Sequence, residues 1–116
     1  MISLNREERP WGRYFIIDEQ LTYKLKRIEV EPGKRLSYQY HKKRSEVWTI
    51  IKGKGTITLN DKVKEHSKGE TILIPQGTKH RIENNTKDKV VIIEIQTGSY
   101  FGEDDIVRLE DDYGRI

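Results

Sequence analysis

Apolar residues in this chain recur at spacing two and almost never at spacing three or four. Ile57 and Leu59 alternate with Thr56 and Thr58, and Val91, Ile93 and Ile95 interleave with Val90, Ile92, Glu94 and Gln96. Alternate residues share one face of a strand, whereas a helix would scatter such a pattern around its surface. The runs are short and are separated by turn formers: Glu31-Pro32-Gly33, Asn60-Asp61 and Pro75-Gln76-Gly77. Many short strands punctuated by Gly, Pro and Asn leave an all-β sandwich or barrel as the architecture.

Within that class the runs differ. Lys89 to Gln96 begins apolar on both faces, which predicts a central strand; Glu94 and Gln96 share a face that would look into a polar cavity. Glu46 to Lys52 is apolar on both faces around Trp48, Ile50 and Ile51, and Thr71 to Ile74 reads as a short buried strand stopped by Pro75. Thr56 to Leu59 and Lys62 to Glu65, joined by Asn60-Asp61, read as a hairpin. In Tyr23 to Val30 the apolar phase moves from odd positions (Tyr23, Leu25) to even ones (Ile28, Val30), which predicts a bulge near Lys26-Arg27. The C-terminal GSYFGEDDIVRLEDDYGRI is expected to give a short strand around Ile106-Val107 or a docked tail. No repeat, linker or low-complexity segment interrupts the chain, so residues 1–116 are expected to form one domain.

Composition narrows the function classes. With 34% hydrophobic and 35% charged residues, the core must be modest and the surface ionic. A net charge of +3 is too mild to argue for nucleic acid as a partner, and it favours a small anionic ligand. The lack of cysteine removes disulfides and thiolate metal sites. The opening MISLNREERPWGRYF becomes charged before any apolar run develops, and no stretch is long enough to span a bilayer. A cytoplasmic protein with no membrane partner is the expectation.

Gln39, His41, Glu46 and His80 stand out as chemistry. Gln39 and His41 are two apart, so a strand puts both on one face. The basic KKRS that follows suits a tight turn, which would return Glu46 on the neighbouring strand. His80 comes just after the Pro75-Gly77 turn, where a third strand can begin. A lone histidine is more often structural than a ligand. Here two of the three histidines sit beside turn signals, together with a carboxylate, a group seldom buried alone. His66, in KEHSKG, reads as a surface residue. Two imidazoles, a carboxylate and an amide oxygen make a nitrogen and oxygen site for one divalent metal ion, zinc first, with manganese, cobalt, nickel or iron as alternatives. So few protein ligands leave positions open for water or substrate.

These residues resemble a known family. Gly33, Gln39, His41, Glu46 and Gly53 match the first cupin motif, G-x5-(H/Q)-x-H-x4-E-x6-G, and Gly69, Pro75, Gly77, His80 and Asn84 match the second, G-x5-P-x-G-x2-H-x3-N. RPWG, KRIEVEPG, LSYQYHKKRSEVW, IPQGTKHRIEN and IEIQTGSYFGEDDIVRLEDDYGR resemble, more closely, the type II mannose-6-phosphate isomerase cupin domain. That domain is usually the C-terminal part of bifunctional mannose-1-phosphate guanylyltransferase/mannose-6-phosphate isomerase enzymes. The resemblance implies a jelly-roll β-barrel (a double-stranded β-helix) with the metal inside. It also implies interconversion of mannose 6-phosphate and fructose 6-phosphate, metal ligands Gln39, His41, Glu46 and His80, and an active-site role for Arg44. The chain has no G-x-G-x-R-type phosphate loop, so the domain is expected to stand alone and to lack nucleotidyl transfer. Lys42, Lys43 and Val47 occupy places where the family carries further histidines, which predicts a different polar shell around the metal.

The isomerisation so implied moves a proton between C2 and C1, and Lys43, Glu94 or a metal-bound hydroxide are the candidate bases. Lys42, Lys43, Arg44, Lys79 and Arg81 flank the ligands and are the candidate phosphate contacts, Arg44 first. Trp11, Tyr38, Tyr40, Trp48 and Tyr100 are candidate sugar-facing aromatics, although Trp48 suits core packing better; Arg108, Asp111 and Tyr113 suit pinning of the tail. Two other functions fit the same residues: a non-catalytic sugar or sugar-nucleotide binder partnering a separate guanylyltransferase, and a metal-dependent dioxygenase. QYH, where dioxygenase cupins tend to have H-x-H, argues against the last. Open sheet edges need covering, and Arg13 to Asp18 is expected to cover a partner's sheet in a homodimer.

Overall fold

Residues 5–116 are described by the computed structural model, and every regular element among them is a strand. β1 (Asn5–Arg9), β2 (Gly12–Glu19), β3 (Tyr23–Val30), β10 (Val90–Gly98), β5 (Arg44–Lys52) and β8 (Thr71–Ile74) form one antiparallel sheet in that order. β11 (Val107–Glu110), β4 (Tyr38–Tyr40), β9 (His80–Glu83), β6 (Lys54–Leu59) and β7 (Lys62–Ser67) form a second. Ile28, Val30, Trp48, Ile50 and Ile92 of the first sheet pack with Ile57 and Ile82 of the second, and with Leu36 from the segment before β4, in one buried cluster, so the sheets face each other. This is the double-stranded β-helix expected from the motifs. No helix among the described residues is long and apolar enough to cross a membrane. Residues 1–4 of the expected single domain lie outside the described residues.

The central strand is β10, as its two apolar faces predict, paired with β3 on one side and β5 on the other. Its register builds rows across the inner face. Val90 lies opposite Val30; Ile92 opposite Ile28 and Ile50; Glu94 opposite Lys26 and Trp48; Gln96 opposite Lys24 and Glu46. Directly opposite residues in an antiparallel pair point to the same side. Each of the three strands therefore passes from apolar to polar along its inward face. Val90, Ile92, Glu94 and Gln96 are all buried, whereas Ile95 is part of the outer face.

β3 corrects the expected bulge. Its pairing with β10 is unbroken from Tyr23 to Val30, and Lys24 and Lys26 point inward in phase with Ile28 and Val30. The apolar phase did not shift; two lysines occupy the inner face, and Tyr23 and Leu25 lie on the outer one. The irregularity sits instead in β2, between Ile16 and Asp18. The Arg13–Asp18 segment, expected to cover a partner's sheet, lies within β2 and pairs with β1 and β3 of its own sheet. β8 is half-buried rather than buried: Ile72 and Ile74 face in, and Leu73 is exposed at the sheet edge. The β6–β7 hairpin closes through Asn60 and Asp61, both at positive φ (45° and 71°), the pattern of a tight primed turn. The C-terminal stretch is both strand and docked tail. β11 pairs with β4, and beyond it the Tyr113 hydroxyl donates to the Arg35 carbonyl while Arg115 grips Asp111.

Candidate active site

His80 opens β9 directly opposite Gln39 of β4, so both side chains project from one face of the second sheet. His41 follows the last residue of β4. Glu46 does not return on a strand beside His41, as the KKRS turn suggested. β4 and β5 belong to different sheets, and Glu46 reaches across the interior from β5. The three groups nevertheless meet: His41 Nε2 lies 3.4 Å from Glu46 Oε2, and His80 Nε2 lies 3.4 Å from Glu46 Oε1. The potential ligand atoms of His41, Glu46 and His80 all fall within 4.8 Å of one another, and all three residues are buried.

The far side of each imidazole is held by backbone. His41 Nδ1 lies 2.5 Å from the Asp105 carbonyl, and His80 Nδ1 lies 2.8 Å from the Thr78 carbonyl. A carbonyl can only accept, so both rings carry a proton on Nδ1 and turn Nε2, the atom left to ligate, toward Glu46. That is how metal-binding histidines are oriented by the groups behind them. Burial pushes the His41 pKa down, which favours the neutral, ligating ring. Burial also opposes charge on His80, but its contact with Glu46 outweighs this and raises its pKa. Burial favours the neutral Glu46, yet the two imidazoles and Arg44 hold its carboxyl well below the usual range. Without a metal, Glu46 therefore favours the protonated His80; a divalent cation would take over that role. The donor set fits such an ion, with Gln39 beside His80 as a fourth candidate.

Arg44 begins β5 and is buried with Glu46. Its Nε donates to Glu46 Oε2 at 2.9 Å, and its Nη2 lies 3.3 Å from His41 Nε2. Gly98, opposite Arg44 at the end of β10, lets the two backbones meet: φ is 150°, and a Cβ there would collide with the Lys43 carbonyl. Glu94 accepts from Trp48 Nε1 (2.9 Å) and from Gln96 Nε2 (2.6 Å). Burial, and then the charge of Glu46, push its carboxyl up to about 7. His41, Arg44, Glu46, Trp48 and Glu94 line a cavity of about 110 Å³ together with Trp11, Tyr14, Ser37, Glu103, Arg108 and Arg115.

Not all residues singled out in the sequence reach this cavity. Gln39, His41, Arg44, Glu46, His80 and Glu94 line it, as do Trp11 and Trp48. Lys42 and Lys43 do not: both side chains are exposed, and their backbone N–H groups donate to the Asp105 carboxylate. Lys43 Nζ instead lies over the Tyr100 ring. Arg81 alternates with His80 on β9 and so points away from it, bonded to the Leu36 carbonyl and to Glu110. Lys79 pairs with Asp61, and the Tyr38 hydroxyl also binds Asp61. Val47 points to the outer face opposite Leu73 and Ile95, so its place in the motif does not alter the polar shell around His41, Glu46 and His80. Lys26, Glu103 and Arg115 carry no expectation of a site role yet line the cavity, and Arg108, expected to pin the tail, lines it too. For Lys26 the signal was present, because it shares the phase of Ile28 and Val30. Asp105 was missed too, and a tail loop holding a ligand histidine has no periodic mark.

The model of the mannose-6-phosphate isomerase C-terminal family matches residues 3–111. The chain is 46% identical over 108 residues to mannose-1-phosphate guanylyltransferase ManC of Salmonella typhimurium, an alignment that covers 93% of this chain and 22% of the relative. It thus spans about a fifth of that curated relative's length. Among solved structures, the capsular polysaccharide assembling protein CapF of Staphylococcus aureus superposes with a TM-score of 0.81 at 24% identity, covering 95% of this chain and 33% of that one. A variant of Bacillus subtilis oxalate decarboxylase superposes at 0.77 and 22% identity, covering 90% and 30%. These two likenesses concern the fold alone. The family match across nearly the whole chain, on a double-stranded β-helix with both motifs in place, makes the chain a cupin of the mannose-6-phosphate isomerase C-terminal family.

Proposed function

We propose that this domain is a metal-dependent sugar-phosphate isomerase that interconverts mannose 6-phosphate and fructose 6-phosphate. The observation that carries the reading is the convergence of two backbone-oriented imidazoles on Glu46, in a cavity that also holds the buried carboxyl of Glu94. His41, Glu46 and His80, with Gln39 beside them, would hold the metal ion. When bound, it supplies Lewis acidity toward the sugar oxygens on which charge develops.

The chain's own groups supply the rest. Glu94, with a pKa near pH 7, is poised to take a proton from C2 and return it to C1, since a base is most effective when its pKa lies near the working pH. Trp48 and Gln96 fix the direction of its oxygens. Arg44 places a cation between Glu46 and Glu103, and its Nη1, 3.6 Å from Glu103 and without a hydrogen bond, is open to a substrate oxygen. Trp11 and Trp48 present ring surface against which a sugar can pack while water is excluded. A homodimer belongs to the same proposal, and sedimentation of the purified chain checks it.

The test is interconversion of the two sugar phosphates followed by NMR, with metal-stripped protein and with added zinc, manganese or cobalt. Turnover restored by metal supports the reading. Tight binding of either sugar phosphate without turnover under every metal would make this a binding module instead.

A further inference from the structure

Five arginine and lysine side chains line the cavity, and four are already engaged. Arg44 bonds to Glu46, Lys26 to Glu103, Arg115 to Asp111, and Arg9 to the Tyr14 hydroxyl. Arg108 makes no hydrogen bond or ion pair among the described residues, and its Nε is buried without a partner. A buried donor left in that condition is unfavourable unless something else completes it. No neighbour hydrogen-bonds to it: burial and then the charge of Arg115 disfavour the protonated Arg108, Arg9 adds to this, and the nearby carboxylates of Asp111 and Glu103 offset it only in part. Two more polar atoms on the cavity wall are buried and unpartnered, Ser37 Oγ and Arg44 Nη1. The missing partner is therefore an acceptor carrying negative charge.

The sheet gives its distance from the candidate metal site. Arg108 on β11 lies opposite Gln39 on β4, and Gln39 lies opposite His80 on β9. The three side chains form one row on one face, so Arg108 stands two strand spacings, about 10 Å, from His80. Six carbons joined by bonds of about 1.5 Å extend about 6 Å, and an ester oxygen and phosphorus lengthen the chain further. An open-chain hexose phosphate with its carbonyl end at His41, Glu46 and His80 would carry its phosphate toward Arg108.

Resting on the isomerase reading, we infer that Arg108, backed by Arg9 and Arg115, is the phosphate subsite and selects phosphorylated six-carbon sugars over free ones. Arg44 is not that anchor, because its charge is already committed to Glu46.

The experiment compares wild type, Arg108→Gln, Arg108→Lys and a control at an exposed lysine, Lys87→Gln, all loaded with metal. Metal content, KM and kcat for mannose 6-phosphate, and the affinity for inorganic phosphate are measured. Arg108→Gln should keep its metal and change kcat less than about threefold, while KM and the phosphate Kd rise at least tenfold. Arg108→Lys should recover part of the loss, as a point charge replaces a fork, and Lys87→Gln should match wild type. Normal KM and phosphate affinity in Arg108→Gln would overturn the subsite. If wild type binds phosphate through Arg108 yet does not isomerise, the subsite stands and the reaction assignment falls. Should Arg108→Gln fold poorly, the wild-type Arg108 Nε resonance replaces it, assigned with Arg108→Lys. Phosphate must shift that signal, and an unmoved resonance overturns the proposal.

Discussion

Along β3, β10 and β5 the inner face changes character halfway. At one end Val30, Ile28, Val90, Ile92 and Ile50 form an apolar patch closed by Ile57 and Ile82 of the other sheet. At the other end the same strands present Lys24, Lys26, Glu94, Gln96, Glu46 and Arg44, all of them buried. The apolar end needs only shape and area, about 25 cal/mol for each Å² removed from water. The charged end must find partners for the groups it buries, and most have specific ones: Glu103 for Lys26, Glu46 for Arg44, Trp48 and Gln96 for Glu94, while Arg44 Nη1 and Gln96 Oε1 are left without a hydrogen bond. Buried ion pairs of this kind add little net stability. One sheet thus supplies both an apolar half that stabilises the fold and a charged half that carries the candidate chemistry.

Substitutions in the two halves should therefore fail in different ways. The largest effect falls on the charged end: Glu94→Gln should lower kcat by about 10² to 10⁴, with metal content unchanged by elemental analysis. Equal activity in that variant would remove Glu94 from the proton transfer. Next, Ile92→Ala should cost about 2–5 kcal/mol in urea unfolding, while the folded fraction keeps its metal. Loss of metal before loss of fold would mean that the halves are not separable as described.

The pH dependence sharpens the contrast. Glu94 binds its proton more tightly in the folded chain than in the unfolded one, since its carboxyl is raised to about 7. Its contribution to the stability of the metal-free protein is thus fully present below the ordinary carboxylate pKa and is lost as pH rises through about 7. The proposed isomerisation would need the ionised form, so its rate should rise with pH as Glu94 loses its proton. A melting series against pH should accordingly lose this falling component in Glu94→Gln. The smallest effect belongs to the outer face. Val47→His, which restores a histidine at that place in the motif, should leave metal content unchanged and shift stability by about 1 kcal/mol or less.

Much of this was legible in the sequence because strand periodicity is local. The central strand, the β6–β7 hairpin and the inward phase of Glu94 and Gln96 follow from alternation alone. The meeting of His41, Glu46 and His80 as a candidate metal site was legible through residue type and spacing, although the path of Glu46 was not. A turn such as KKRS carries no mark that the chain crosses to the opposite sheet instead of folding back. Lys26 was misread for a physical reason: lysine is seldom buried, so an inward lysine reads as a break in phase. The cations Arg108 and Arg115 come from the tail, and only long-range pairing of β11 with β4 brings them to the cavity.

The claim on which the rest depends is that His41, Glu46 and His80 bind one divalent metal ion through Nε2 atoms oriented from behind by the Asp105 and Thr78 carbonyls. Calorimetric titration of metal-stripped protein with zinc or manganese tests it most directly. The account predicts one ion per chain in the wild type and none at the same affinity in His41→Ala or His80→Ala. Undiminished binding in both variants, or no binding in the wild type, would contradict it.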